Sequence, residues 1–220
     1  MRQLDVFDFD DTLFQTPRNT PENQRKYEEA TGMPWVIDKQ RSRFLSKKLG
    51  RHVGMRKGWF GRKETLEPPL VPDPAPQDMF VSKVCNKFLE SKQNPDIITM
   101  MMTGRHLGLQ SHVLRILNDG DLVKATKQGD VYVQNDPDVI CMFLGANGPQ
   151  SQGTPPRETL PWKLWILEQY AEFYDLDKIC IWEDRAEHVE EFRKFDLVES
   201  VAVYHVQPNG ECLFSCGYEF

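Results

Sequence analysis

A chain of 220 residues with 40% hydrophobic and 27% charged residues has enough apolar side chain for one folded core and too much of it for a disordered polyelectrolyte. Its most apolar run, Ile97 to Met102, is strand-sized, and Met1 to Asp5 lack the long apolar segment of a secretory signal, so the expectation is an intracellular protein, cytoplasmic or nuclear, without membrane contact. The net charge of −6 argues against a polyanion partner only as an average, because ten cations lie between Lys39 and Lys63 without one acid, and the rest of the chain holds seventeen basic against thirty-three acidic residues.

In chain order, an apolar strand is expected over Gln3 to Phe9, with Asp8, Asp10, Asp11 and Thr12 crowded at its end. Carboxylates this close repel unless a cation, a hydrogen-bond network or a charged substrate compensates. A divalent metal such as Mg²⁺ is the simplest compensator, and an acidic turn after a strand is the bland alternative. Residues 18–76 then change in character. The middle is basic with Phe44, Trp59 and Phe60 interleaved, and five prolines fall between Pro68 and Gln77. This reads as an insertion whose end, Glu67 to Pro76, is a stiff extended return to a core of residues 1–17 and 77–220.

Regular periodicity resumes after the insertion. A helix is expected over Asp78 to Lys92, a buried strand over Ile97 to Met102 ending in Thr103-Gly104-Arg105, and a helix over His106 to Leu117. A small ribbon within Leu122 to Asn135 precedes a strand at Val139 to Leu144 and a Gly, Pro and Gln loop at 145–156. A helix over Leu160 to Tyr174, a strand over Lys178 to Trp182 ending in Glu183-Asp184-Arg185, a helix over Ala186 to Phe195 and a strand over Ser200 to Val206 complete the alternation. Such alternation predicts an α/β fold with a Rossmann-like doubly wound parallel sheet, in which ligands bind beyond the carboxyl ends of the strands. Four elements thus bring acids, a hydroxyl and Lys163 to one rim. The five cysteines, Cys85, Cys141, Cys180, Cys212 and Cys216, are odd in number and mostly within apolar runs, which fits a reducing compartment better than disulfides or zinc.

Phe7-Asp8-Phe9-Asp10-Asp11-Thr12-Leu13 resembles the first motif of the haloacid-dehalogenase-like (HAD) phosphatases. Thr103 resembles their second motif, Lys163 the third and Glu183-Asp184 the acidic fourth. More narrowly, Asp10 to Pro17, Gly58-Trp59-Phe60, Pro68-Pro69, Met102 to Arg105, Leu160 to Lys163 and Trp182 to His188 resemble the HAD domain of Swiss Army Knife RNA repair-like proteins. The resemblance implies Asp8 as nucleophile, Asp10 as acid and base, Thr103 and Lys163 as phosphoryl contacts, and Mg²⁺ held by Asp8, the Asp10 carbonyl and Asp184. It further implies a cap between the first and second motifs. Asp11 stands where many relatives carry glycine, and its expected role is to shape the turn.

Beyond these, Arg105, Arg185, His188 and Trp59 are candidate substrate contacts, although the two arginines equally suit pairing with the acids, and His188 suits packing on its own helix. Glu183 is expected to support Asp184. Where relatives carry a second acid some residues later, this chain has Glu187 and His188. The leading expectation is a Mg²⁺-dependent phosphohydrolase acting on a polynucleotide end, RNA by the resemblance, held through the basic segment 39–63. A phosphatase of nucleotides or other small phosphoesters and a catalytically inactive nucleic-acid-binding module are the alternatives.

Overall fold

The computed structural model describes residues 2–32, 39–51, 60–149 and 153–215. The chain runs β1 (Gln3–Phe7), α1 (Pro21–Thr31), α2 (Lys39–Leu49), α3 (Ser82–Gln93), β2 (Ile97–His106), α4 (Gln110–Asp119), β3 (Ala125–Gln128), β4 (Val131–Gln134), β5 (Val139–Leu144), α5 (Thr159–Tyr174), β6 (Lys178–Glu183), α6 (Ala186–Phe192), β7 (Ser200–Val206) and β8 (Cys212–Ser215). The main sheet has the order β5-β2-β1-β6-β7-β8, parallel except for the last pair, and β3 and β4 form a separate antiparallel ribbon.

Alternation along the strands divides the core into two layers. Phe7, Met101 and Trp182 face the layer that contains Val84 and Phe88 of α3 and Val113 and Leu117 of α4. Leu4, Val6, Met100 and Met102 face the other, with Trp162, Ile166 and Tyr170 of α5 and Val189 and Phe192 of α6. Strand order runs outward from β1 through β2 to β5, then restarts on the other side with β6 and β7, so it reverses between β1 and β6. Among the described residues no helix is long and apolar enough to cross a membrane.

The doubly wound sheet is as the sequence predicts, with informative differences at the ends of elements. Strand β2 continues past Met102 to His106, with a register shift against β5 between Thr103 and His106. Its polar end pairs as strand although it breaks the apolar run, because backbone pairing does not depend on side-chain polarity. Leu107–Leu109 forms a 3₁₀ turn, so α4 starts later than expected. Strand β8 has no counterpart in the sequence reading. It follows a hairpin in which the Gln207 amide donates to the Glu211 carbonyl and Gly210 takes φ 76°, and four residues are too few to display a period.

The segment expected as an insertion contains two helices, α1 and α2, that periodicity did not reveal. Helix α1 starts where the Thr20 hydroxyl accepts from the Asn23 amide, has Pro21 in its first turn and ends at Gly32 with φ 65°. It buries only Tyr27, so it has no apolar stripe to read. Glu67 to Pro76 is not the extended return expected from its prolines. The amides of Leu70 and Val71 both donate to the Glu67 carbonyl, and Leu66, Val71 and Ala75 lie in the main core. Arg115 of α4 holds this turn by donating to the carbonyls of Leu66 (2.8 Å) and Pro72 (3.0 Å).

Candidate active site

The β1–β6 register sets Phe7 beside Trp182, and the Asp8 amide donates to the Trp182 carbonyl at 3.0 Å. The first carboxylate of one strand end therefore stands next to Glu183 and Asp184 of the other, at the point where strand order reverses. Asp8, Glu183 and Asp184 each present a carboxylate oxygen within 4.8 Å of the others, the one such acidic group found among the described residues. Lys163 reaches them from α5. It lies on the same buried stripe as Ile166, Leu167 and Tyr170, so seating that stripe on the sheet carries Lys163 into the rim. Its Nζ is 2.6 Å from Asp8 Oδ1 and 2.7 Å from Glu183 Oε2.

Gly104 permits this approach, since a Cβ there would lie 2.7 Å from Thr159 Cγ2 at the start of α5. Thr103 is fully buried, and its hydroxyl accepts from the Arg105 amide at 3.2 Å.

Lys163 pairs with two buried acids, Asp8 and Glu183, and a third, Asp184, stands half-buried beside them; the proton affinities follow. Burial, reinforced by Glu183 and Asp10 and opposed by Lys163, pushes the Asp8 carboxyl up to about 7. Burial together with Asp8 and Glu183 pushes Asp184 up to about 8. Glu183 goes the opposite way: burial opposes its charge, but Lys163 and His188 outweigh burial and hold it well below the usual carboxylate range. Burial would depress Lys163, yet Asp8 and Glu183 raise it above the ordinary lysine value. Asp184 Oδ1 is buried and makes no hydrogen bond, the mark of an acceptor without a donor.

The family model described as HAD domain family 1 in Swiss Army Knife RNA repair proteins matches residues 42–208. The chain belongs to this HAD family. No solved structure matches it. The matched stretch contains Thr103, Lys163, Glu183 and Asp184 and begins after Asp8 and Asp10; the pairing of β1 with β6 sets Asp8 next to Glu183.

The other expected residues of this HAD domain separate into distinct surroundings. Asp10 lies beside the acidic group but is held elsewhere: its Oδ1 accepts from the Thr16 hydroxyl at 2.7 Å and from Arg105 Nη2 at 2.8 Å. Arg105 has no exposed surface and pairs with Asp10, the alternative expected for it beside substrate contact. His188 is also buried, with Nδ1 3.3 Å from Glu183 Oε2 and its ring edge-on to Phe192. Glu183 is occupied on both oxygens, because the Arg185 amide donates to Oε1 at 3.3 Å. The Arg185 guanidinium lies over the Phe60 ring, 5.7 Å from its centre. Trp59 lies outside the described residues, as do Arg56 and Lys57.

Sequence reasoning missed Thr16 and Arg18. Asp11 takes φ 56° and binds Arg18 through Nε (3.0 Å) and Nη2 (2.7 Å), so it does shape the turn and also anchors a cation. No spacing rule links these pairs; a turn rather than a helix or strand brings them together. Thr12 Oγ1 is buried without a hydrogen-bond partner. A cavity of about 330 Å³ opens at the rim between Asp11, Gln15, Thr16, Arg18 and Asp184. A larger one of about 840 Å³, between α3 and β8 above Trp182 and Tyr204, is lined by none of Asp8, Glu183 and Asp184.

Proposed function

We propose that this protein is a Mg²⁺-dependent phosphohydrolase that works through an aspartyl-phosphate on Asp8 and acts on the terminal phosphate of a polynucleotide, RNA foremost. The reading rests above all on Asp8, Glu183 and Asp184 gathered around Lys163 at the sheet's reversal point. Membership of a HAD family of RNA repair proteins agrees with it. The insertion, residues 18–76, supplies the nucleic-acid grip: the α2 cations Arg43, Lys47 and Lys48 are exposed, and so is Phe44. The described cysteines are free thiols, in keeping with an intracellular setting.

The donor set fits a hard cation. Three carboxylates gather at one point, Lys163 pairs with two of them, Asp8 and Glu183, and Asp184 Oδ1 lacks a donor. Asp8, the Asp10 carbonyl and Asp184 would hold Mg²⁺, which supplies neutralising charge for the phosphoryl oxygens and the acids when bound. Asp8 attacks phosphorus through a carboxylate oxygen, forming the O–P bond as the ester O–P bond breaks, and Asp10 gives its proton to the leaving oxygen. Asp10 then removes a proton from the water that hydrolyses the aspartyl-phosphate, releasing phosphate and restoring both groups. Lys163 holds Asp8 in place between turnovers and balances charge on the phosphoryl oxygens, together with the Thr103 hydroxyl. Glu183 fixes Lys163 and His188.

Hydrolysis of an aryl phosphate with Mg²⁺, abolished in Asp8→Asn, is the expected result; equal activity in the variant removes the nucleophile assignment. A 3′- or 5′-phosphorylated oligonucleotide should be preferred over its mononucleotide, and the preference should fade as salt rises. A preference indifferent to salt would favour a small phosphoester as the substrate.

A further inference from the structure

Arg105 extends from the end of β2 with no exposed surface, and a guanidinium carries five N–H donors in one rigid plane. Every nitrogen is engaged. Nε lies 3.0 and 3.1 Å from the two Asp10 carboxylate oxygens, and Nη2 lies 2.8 Å from Asp10 Oδ1. Nη1 points to the returning end of the insertion, donating to the Phe60 carbonyl (2.8 Å), the Thr65 hydroxyl (3.0 Å) and the Arg62 carbonyl (3.3 Å).

Just before the insertion begins, the chain meets the same carboxylate, through the Thr16 hydroxyl at 2.7 Å. The chain leading into the insertion and residues 60–65 within it therefore converge on Asp10, the first directly and the second through Arg105. Phe60 touches the rim a second time, with its ring under the Arg185 guanidinium. In a dry site each of these bonds is costly to lose, because the N–H it leaves behind finds no water.

We infer that Arg105 is a positioning residue that ties the orientation of Asp10 to the seating of residues 60–65, so that the acid–base carboxyl is set only when the insertion is docked on the core. The catalytic consequence rests on the phosphohydrolase reading; the coupling itself is a property of the fold. Coupling is reciprocal. Loosening residues 60–65 releases Asp10, and removing the Asp10 charge loosens residues 60–65.

The deciding kinetic experiment compares an aryl phosphate, whose leaving group needs little protonation, with an alkyl phosphate that needs it fully. Arg105→Lys keeps the charge and loses the fork. Its kcat should fall about 100-fold on the alkyl ester and less than about 10-fold on the aryl ester, with KM little changed. Thr65→Val removes only the hydroxyl acceptor and should show the same leaving-group signature at about three- to tenfold. Equal losses on both esters would overturn the positioning role.

A second measurement needs no turnover. Amide hydrogen exchange at residues 61–66 should quicken at least about fivefold in Asp10→Asn, and unchanged protection there would overturn the coupling even if Arg105→Lys failed to fold. Should the unmodified protein hydrolyse neither ester, the phosphohydrolase reading would fail while the exchange result still decided the coupling.

Discussion

At the β1–β6 rim, charges are buried and paired at fixed distance, with Lys163 2.6 Å from Asp8 and 2.7 Å from Glu183, whereas along α2 the cations Arg43, Lys47 and Lys48 stand in solvent. The difference is one of dielectric. In a dry site a charge is felt by every neighbour, so proton affinities shift by several units and geometry decides which acid stays ionised. In water the same charge is screened within about 10 Å at 0.1 M salt, and it attracts a polyanion without choosing its sequence. Under the proposed function, the rim does chemistry on one phosphate and α2 holds many.

The most severe way to break the rim is Asp8→Asn, which should lower phosphatase activity by on the order of 10⁴ while the protein stays folded, measured with an aryl phosphate and circular dichroism. Next is Lys163→Ala. It leaves Asp8 and Glu183 buried without their counter-ion and should cost about 3–5 kcal/mol in denaturant unfolding. A loss below about 1 kcal/mol would show that the rim is wetter than its geometry implies.

Metal and pH sharpen the comparison further. Asp8 and Asp184, ordinarily near 3.8, are raised to about 7 and about 8, so the folded state keeps protons that the unfolded chain has released. Their stabilising effect is complete below about pH 4 and is lost as pH rises toward 8. Chelated protein should accordingly melt at lower temperature at pH 8 than at pH 5, by roughly 5 °C. Added Mg²⁺ should restore more at pH 8 than at pH 5, and a flat profile would break the three-acid description of the site.

The exposed region should respond differently. Replacing Arg43, Lys47 and Lys48 together with Ala should reduce the slope of log affinity against log salt for a single-stranded oligonucleotide by up to about 2, with a much smaller effect on a mononucleotide. The smallest effect belongs to the seam between the regions. Phe60→Leu removes the ring under Arg185 and should cost about 0.5–1 kcal/mol, read from the melting temperature.

Much of the architecture was legible because it depends on short-range pattern. Apolar alternation and helical spacing marked the strands and helices of the core, and their alternation led to the parallel sheet. The acids at the ends of β1 and β6 and the lysine on α5 stood at the right places in chain order. Helices α1 and α2 were not legible, since α1 buries only Tyr27 and no side chain of residues 43–49 in α2 is buried, and the proline-rich return folds into a turn because Leu66 and Val71 find the core.

Asp8, Lys163, Glu183 and Asp184 could be named from residue type and order alone, because strand-end position is a local property and a parallel sheet gathers its strand ends. Partner choice is not local. Arg105 lies 95 residues from Asp10 and 40 from Thr65, and only the packed chain decides that its fork faces inward to both rather than outward to a substrate. The crowded carboxylates at the first strand's end predicted a need for positive charge. Tertiary structure divided the supply, Lys163 for Asp8 and Glu183 and Arg105 for Asp10, because burial fixes which partners each cation reaches.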